Sequence, residues 1–318
     1  MSYMKTLMAG CTVLALGAGG ALAQDGETKV IGVSIPAATH GWAGGMNFHA
    51  QQTVERLEEV YPGLDFVLAT ASDPGKQVND IEDMVATRNI DALVVLPFES
   101  DPLTPPVQAV AESGAWVTVV DRGLSVEGIE DLYVAGDNPG FGRVSGEYMV
   151  SQMPEGGKIV VLRGIPTTID NERVEGFQSA IEGSGIEIID MEHGNWNRDD
   201  SFNVMQDFLS KHEQIDAVWA SDDDMAVGVL AAIDAAGRDD VDFVLGGAGM
   251  KEMIQRVMDG DEMIPADVTY PPSMIATAIE LTAVGLTSNA PVSGTFTIGS
   301  VLITAENAEQ FYYPDSPF

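Results

Sequence analysis

Short apolar runs alternate along this chain with longer amphipathic stretches. Residues 92–96 and 217–220 are apolar throughout, and segments with helical periodicity flank both runs. Continuous apolar runs of this length between helical segments are typical of parallel strands that are buried on both faces. The alternation therefore predicts an α/β protein.

The alternation occurs in two consecutive series. In the first series, strands are predicted at 30–35, 66–69, 92–96 and 116–120, and helices at 43–60, 76–87 and 107–112. In the second, strands are predicted at 132–135, 159–162, 186–189, 217–220 and 243–245, and helices at 144–153, 173–181, 202–209, 225–235 and 251–258. Two series of this type predict two doubly wound parallel sheets.

The first 23 residues have the pattern of a secretory signal. Lys5 precedes an apolar stretch at 7–22, and residues 21–23 offer a small-x-small cleavage site. Cys11 lies in a loose lipoprotein box, but the apolar stretch continues past it to the better site. We therefore expect residues 1–23 to be removed and the protein to lie in the periplasm, with lipidation at Cys11 as the alternative. The mature chain then has no cysteine, which excludes disulfides and thiol chemistry.

The charge of the chain restricts its partners. There are 49 acidic residues against 15 Lys and Arg, which gives a formal net charge of −34. Such a surface repels phosphate backbones and anionic lipids, so neither nucleic acid nor a membrane surface is an expected partner. The acidic residues are scattered and form no block, which favours a role in solubility in a salty medium over an acidic binding surface.

Polar and aromatic residues follow the predicted strands in both series. In open parallel sheets the ligand lies at the carboxyl ends of the strands. Aromatic faces stack on the C–H faces of a sugar, while carboxylates, amides and guanidinium groups pair with neighbouring hydroxyls. The predicted ligand-binding residues are His40, Trp42, Glu99, Asp121, Arg122, Asn138, Arg173, Trp196, Asp222 and Tyr270.

Each of these residues also has a purely structural interpretation. A tryptophan near a strand end is more often part of the packing than a ligand contact. The acids at 222–224 could cap the following helix, and Arg122 could form an ordinary surface ion pair. Their joint occurrence at strand ends in both series favours the binding site.

Seven segments carry a resemblance to a known protein family. They are residues 32–35, 121–122, 134–138, 164–177, 203–206, 217–228 and 301–304. In these segments the chain resembles type I periplasmic solute-binding proteins, specifically the ribose-binding-like sugar and polyol branch. The resemblance implies two lobes joined by a three-segment hinge. The N-terminal lobe would comprise 24–136 and 271–299, with a helix at 273–286, and the C-terminal lobe 137–270 and 300–318.

The resemblance also implies roles for individual residues. The family's stacking aromatics fall on Trp42 and Trp196, and its hydroxyl-binding pair falls on Asp121 and Arg122. The arginine of its second lobe falls on Arg173. The implied partners are a small sugar or polyol and the permease and ATPase subunits of an ABC importer, with the protein itself a monomer.

The chain departs from the family pattern at several of these positions. Asp222 stands where the family has an amide, and Tyr270 where it has a glutamine. Ala248 replaces the aspartate of a Gly-x-Asp turn, and His40 lies in a first loop that differs from the usual one. With these departures, a polyol or a differently configured pentose is expected as readily as an ordinary aldopyranose.

Other classes of function find little support. The four histidines have no metal-ligand spacing, and neither a G-x-S-x-G elbow nor a dinucleotide fingerprint occurs, so we expect no enzyme, metal or cofactor. A sugar-sensing periplasmic receptor, for chemotaxis or a sensor kinase, is the alternative to an importer subunit. A sugar-responsive repressor would need an N-terminal helix-turn-helix, where this chain has the signal.

Overall fold

The structure is a computed structural model that describes residues 28–38, 41–288 and 292–318. The predictions for the signal segment at 1–23 and for His40 lie outside these residues. The described part of the chain folds into two parallel sheets flanked by helices, so the predicted α/β fold with two doubly wound lobes is confirmed.

The first lobe is built on a six-stranded parallel sheet with the order β11-β5-β4-β3-β1-β2. Its central strands at 92–95 and 116–120 are rich in β-branched and apolar residues, and all of these are buried except the half-buried Trp116. The strands are β1 (Lys29–Pro36), β2 (Leu64–Ala71), β3 (Ala92–Val95), β4 (Trp116–Val120), β5 (Leu132–Gly136) and β11 (Gly294–Ile298).

The second lobe is built on a four-stranded parallel sheet with the order β7-β6-β8-β9. A short antiparallel pair, β10 with β12, lies beside it. The strands are β6 (Gly157–Arg163), β7 (Ile186–His193), β8 (Ala217–Ala220), β9 (Phe243–Leu245), β10 (Asp267–Val268) and β12 (Leu302–Ile303).

Nine α-helices flank the sheets in the part of the chain that the structure describes. The ninth packs on the first helix and on the first sheet, so the chain returns to the first lobe after β10. The helices are α1 (Gly41–Val60), α2 (Pro74–Asp83), α3 (Ser100–Glu112), α4 (Asn138–Gln152), α5 (Thr168–Ile181), α6 (Arg198–Lys211), α7 (Asp223–Ala236), α8 (Lys251–Asp259) and α9 (Met274–Thr287).

Two of the predicted elements differ from the prediction in the sheet to which they belong or in the residue at which they begin. The strand β5, with which the second series begins, hydrogen-bonds to β4 and belongs to the first sheet. The helix α3 begins at Ser100 and contains Pro105 and Pro106, whereas the sequence predicts it only at 107–112. Its first turn is fixed from outside, because Ser100 Oγ donates to the carbonyl of Gly123 at 2.6 Å.

Three glycines let α4 and α5 approach closely. A Cβ on Gly142 would lie 1.9 Å from the carbonyl oxygen of Arg173, and one on Gly176 would lie 2.3 Å from that of Pro139. A Cβ on Gly146 would likewise meet the backbone of α5. The glycines therefore set the position of α5, which carries Arg173.

The core of the second lobe lies beneath α5. Phe177 on α5 stacks on Trp219 of β8 with ring centroids 3.9 Å apart and planes 6° from parallel. Both side chains are completely buried.

In the described residues, none of the helices combines the length and apolar character that a bilayer span requires.

Candidate functional site

The candidate site is a cavity between the two lobes, at the carboxyl ends of the strands. Its volume is about 40 Å³. Among the described residues, seven of the ten predicted ones line it, together with Ile169 and Ala248. The seven are Trp42, Asp121, Arg122, Arg173, Trp196, Asp222 and Tyr270. We call this space the ligand cavity.

Two of the other predicted residues lie outside the ligand cavity. Asn138 is buried behind its wall, where it contacts Tyr270 and Arg173. Glu99 is exposed and directly precedes α3. The tenth residue, His40, is not among the described residues.

A chain of hydrogen bonds connects the lobes behind the cavity. Tyr270 donates its hydroxyl to Asp121 Oδ1 at 2.5 Å, and Asn138 Nδ2 donates to the Tyr270 hydroxyl at 3.3 Å. Arg173 Nε donates to Asn138 Oδ1 at 2.9 Å. Burial, and after it the charge of Asp121, raises the pKa of Tyr270 well above its ordinary value, so the hydroxyl remains a donor. These hydrogen bonds hold the Asp121 carboxylate and the Arg173 guanidinium in place before a ligand binds.

Arg173 lies among aromatic rings and is only 5% exposed. Its guanidinium carbon is 4.2 Å from the ring centroid of Tyr270 and 4.5 Å from that of Phe141. A further hydrogen bond runs from Nη1 to the carbonyl of Ser221 at 2.9 Å. Contacts between a cation and aromatic faces stabilise a charge that is shielded from water. Phe141 was not predicted, because an aromatic in the first turn of a helix gives no separate signal in the sequence.

Trp42 presents an apolar face to the ligand cavity. Its indole Nε1 donates to the carbonyl of Tyr270 at 2.9 Å, which satisfies the only polar atom of the ring. The two rings lie 6.2 Å apart at an angle of 35°. Trp42 comes from α1 of the first lobe, and the half-buried Trp196 faces the cavity from the second lobe.

Three lining residues have backbone angles that glycine usually adopts. The φ angles are 60° at Asp121, 52° at Trp196 and 116° at Ala248. Such conformations cost on the order of 1–3 kcal/mol each and occur preferentially at ligand clamps and active sites. The ring of Trp196 is fixed against Gly164, where even a Cβ would come within 2.1 Å of its Nε1. This strain at three lining residues supports the cavity as the candidate functional site.

Three buried carboxyl groups, those of Asp222, Asp223 and Asp267, have a raised pKa. Burial, followed by the charges of Asp224 and Asp223, raises the pKa of Asp222 well above its ordinary value. Burial raises the pKa of Asp267 to about 7. A protonated Asp222 both donates and accepts a hydrogen bond, as the amide of the resembled family does.

Asp223 holds the turn that carries Ala248. Its two oxygens accept hydrogen bonds from the backbone N–H groups of Gly247 at 2.8 Å and Met250 at 2.7 Å. The pKa of Asp223 is also raised, first by burial and then by Asp267. The wall of the cavity at Ala248 is therefore a fixed backbone surface that carries a methyl group.

One contact joins the rims of the two lobes directly. The backbone N–H of Gly41, at the start of α1, donates to Asp224 Oδ2 at 3.2 Å. Arg198 Nε bonds the other oxygen of the same carboxylate at 2.7 Å. We call this arrangement the rim contact. It can exist only while the lobes are closed.

No cluster of metal ligands accompanies the site. Within residues 28–38, 41–288 and 292–318, no group of three or more His, Cys, Asp or Glu side chains is arranged to hold a metal ion.

Comparison with known proteins identifies relatives over most of the chain. A family model described as "Periplasmic binding protein domain" matches residues 31–287. The ribose import binding protein of Escherichia coli is 28% identical over 262 residues, which cover 82% of this chain and 84% of that protein. The xylitol-binding protein of Mycolicibacterium smegmatis is 28% identical, over 79% of this chain and 70% of that protein.

Solved structures have the same architecture. An ABC transporter solute-binding protein from Mycobacterium smegmatis, with bound glycerol, is 28% identical with a TM-score of 0.78. The alignment covers 91% of this chain and 98% of that one. The myo-inositol-binding protein of Caulobacter, bound to myo-inositol, is 26% identical with a TM-score of 0.76, over 91% of this chain and 97% of that one.

Proposed function

The chain belongs to the periplasmic binding protein family, in its type I ribose-binding-like branch, and from this premise we propose that it is the substrate-binding component of an ABC importer. It captures a small neutral sugar or polyol between its lobes. The relatives with 28% identity include proteins named for ribose import and for xylitol binding, which supports this class of ligand. The permease and ATPase of the importer are its partners, and it acts as a monomer in the periplasm after removal of residues 1–23.

One observation carries the proposal. Side chains from both lobes converge on a single cavity that offers aromatic faces as well as hydrogen-bonding groups. Trp42 and Trp196 stack on the C–H faces of the ligand, and Asp121, Arg122 and Arg173 bind its hydroxyls. The cavity thus offers acceptors as well as donors, which suits hydroxyl groups because each of them both donates and accepts a hydrogen bond.

The lobes are proposed to comprise residues 24–136 with 271–299 and residues 137–270 with 300–318. Three facts support these boundaries. The strand β11 pairs with β5, α9 packs on α1, and β12 pairs with β10. The chain then crosses three times, near Gly136, Tyr270 and Gly299. Rotation about these crossovers admits the ligand, and closure encloses it.

Calorimetry with a panel of small molecules tests the ligand class. Ribose, allose, xylitol and myo-inositol are titrated into the folded protein, with glutamate and spermidine as charged comparators. We expect at least one of the four neutral compounds to bind and neither charged one to do so. Binding of a charged compound alone, or of none of the neutral sugars and polyols by protein with an intact thermal transition, would refute the proposal.

A further inference from the structure

A second cavity adjoins the ligand cavity on the side of the first lobe. Its volume is about 230 Å³. Trp42 and Arg122 line both cavities and so form the boundary between them. The remaining lining residues in the described part of the chain are Pro36, Ala43, Met46, Leu96, Phe98 and Ile165. We call this second space the annex.

The annex offers almost nothing to a hydroxyl group. Its six remaining described lining residues are all apolar, and Met46 and Leu96 are 2% and 1% exposed. At the boundary, the Trp42 indole already donates to Tyr270 O, and Arg122 Nη1 donates to Phe98 O at 2.7 Å. Among the described residues of the annex, a hydroxyl finds no side-chain partner beyond the Arg122 guanidinium at the boundary, whereas a carbon chain gains contact area.

The relative size of the two cavities points the same way. A dry cavity of about 150 Å³ is enough to hold a benzene molecule. The ligand cavity, at about 40 Å³, is well below this size in the closed lobes, and the annex, at about 230 Å³, is above it. Of the two cavities that meet at Trp42 and Arg122, the annex is therefore the one with room for additional carbon atoms of a bound ligand.

We propose that the annex is a subsite for a short apolar substituent, so that the preferred ligand is an alkyl-substituted sugar or polyol. This inference rests on the proposed function and narrows its substrate class. The polar head binds the residues of the ligand cavity, which must widen by lobe rotation to take it, and the alkyl group passes between Trp42 and Arg122 into the annex. An ether oxygen at this boundary is an acceptor, which suits the donors of the Arg122 guanidinium.

A series of alkyl derivatives tests the annex. For ribose, allose, xylitol and myo-inositol, the parent compound is compared by calorimetry with its O-methyl, O-ethyl and O-propyl derivatives at each position. We expect one position of one compound at which affinity rises about fourfold for each added carbon, the gain typical of burying a methylene group. Enclosure in the annex then limits the chain length.

Variants in the annex locate the effect. Ala43→Leu places additional carbons in the annex and should abolish the gain in affinity of the O-propyl derivative over its parent. Met46→Ala enlarges the annex and should move the optimum to longer chains. Leu57→Ala is the matched control, because Leu57 is a buried residue of the same helix that lines neither cavity. It should leave the affinity ratio of derivative to parent unchanged.

The outcomes separate the two proposals. If a parent compound binds and every derivative binds more weakly, the annex is not a subsite and the proposed function stands. The annex is also refuted if the gain occurs but Ala43→Leu and Leu57→Ala affect it equally. If neither parents nor derivatives bind to folded protein, the proposed function fails, and the annex proposal fails with it.

Discussion

At the scale of single residues, Arg173 is the side chain on which the site most depends. It bonds Asn138 and Ser221 and lies between the rings of Phe141 and Tyr270. A guanidinium in this position serves the second lobe and the ligand together. Its removal leaves buried oxygen atoms without a donor, which is expensive in a site that excludes water.

Arg173→Ala should weaken the binding of the sugar or polyol identified by the panel by roughly 2–4 kcal/mol, which is tens- to about a thousandfold in Kd. Calorimetry measures this change. Arg143→Ala is the matched control, because Arg143 is an exposed arginine of the helix next to α5. Affinity of the wild-type level in folded Arg173→Ala would contradict the assigned site.

Asp267 should make stability depend on pH. Its folded-state pKa is about 7, raised by burial above the ordinary value of 3.8. Between these values the folded protein holds a proton that the unfolded chain releases, so this group's contribution to stability falls as pH rises from about 4 to 7. Asp267→Asn removes this titration and also the neighbouring carboxyl group that helps to raise the pKa of Asp223, so it should be more stable than wild type at pH 8, with little difference at pH 4.

Denaturant unfolding at several pH values measures the effect. Asp207→Asn, at an exposed position of α6, is the control for removal of an acid as such. Parallel pH profiles for wild type and Asp267→Asn would contradict the prediction.

Single residues also show how far the sequence predicts the site. Seven of the predicted side chains meet at the cavity, because the carboxyl ends of parallel strands meet at one edge of a sheet. Glu99 follows a strand as well, yet it precedes α3 on the surface. A position at the end of a strand does not by itself determine the direction in which the side chain points. The contact of the Phe141 ring with Arg173 depends on how α4 packs against α5, and no local sequence pattern predicts that packing.

At the scale of elements, most helices and strands could be predicted because buried parallel strands are apolar along their whole length. The exceptions are the elements without that pattern. The strand β11 is exposed at four of its five residues, and β10 and β12 have two residues each. In these strands pairing with a neighbour, and not burial of a face, determines the conformation.

The close contact of α4 with α5 is an element-scale determinant of both stability and binding. Gly142→Ala places a Cβ where the carbonyl oxygen of Arg173 lies, so the helices must separate. We expect a loss of stability of roughly 1–3 kcal/mol, as for other overpacked cores. Ligand affinity should fall as well, because α5 carries Arg173.

Thermal unfolding and calorimetry on the same sample test both effects. Gly63→Ala is the control, since a Cβ there meets nothing within 4 Å. Unchanged stability in Gly142→Ala would contradict the close helix contact. Lower stability with unchanged affinity would contradict the link to Arg173.

At the scale of the whole molecule, the lobes are closed on each other and the rim contact bridges them. Loss of this contact should favour the open state. Asp224→Ala removes the acceptor of Gly41 N–H and the partner of Arg198, so it should weaken ligand binding by about 1–2 kcal/mol. Without ligand, scattering should give a larger radius of gyration for Asp224→Ala than for wild type. When the ligand saturates the protein, the radius should decrease.

Asp65→Ala is the control for closure, because it removes an ion pair with Arg88 within the first lobe. It should leave the radius of gyration unchanged. An identical radius for wild type with and without ligand, together with unaltered affinity in Asp224→Ala, would contradict hinge closure.

The acidity of the molecule leads to a further prediction at this scale. Screening acts on exposed charges, whereas hydrogen bonds in an enclosed cavity are little affected by salt. With a net charge of −34, a cationic ligand would be drawn strongly at low salt and released at high salt. For a neutral sugar or polyol we expect affinity to change less than about twofold between low and high salt in calorimetry. A steep loss of affinity would identify a cation as the ligand.

The positions of the tryptophans give the protein an optical property. Of the four in the chain, Trp42 and Trp196 line the ligand cavity, whereas Trp219 is stacked on Phe177 inside the second lobe. A ligand that displaces water from the first two changes the polarity around their indoles and leaves Trp219 untouched. Intrinsic fluorescence can therefore follow capture and release in real time by rapid mixing, without an attached dye.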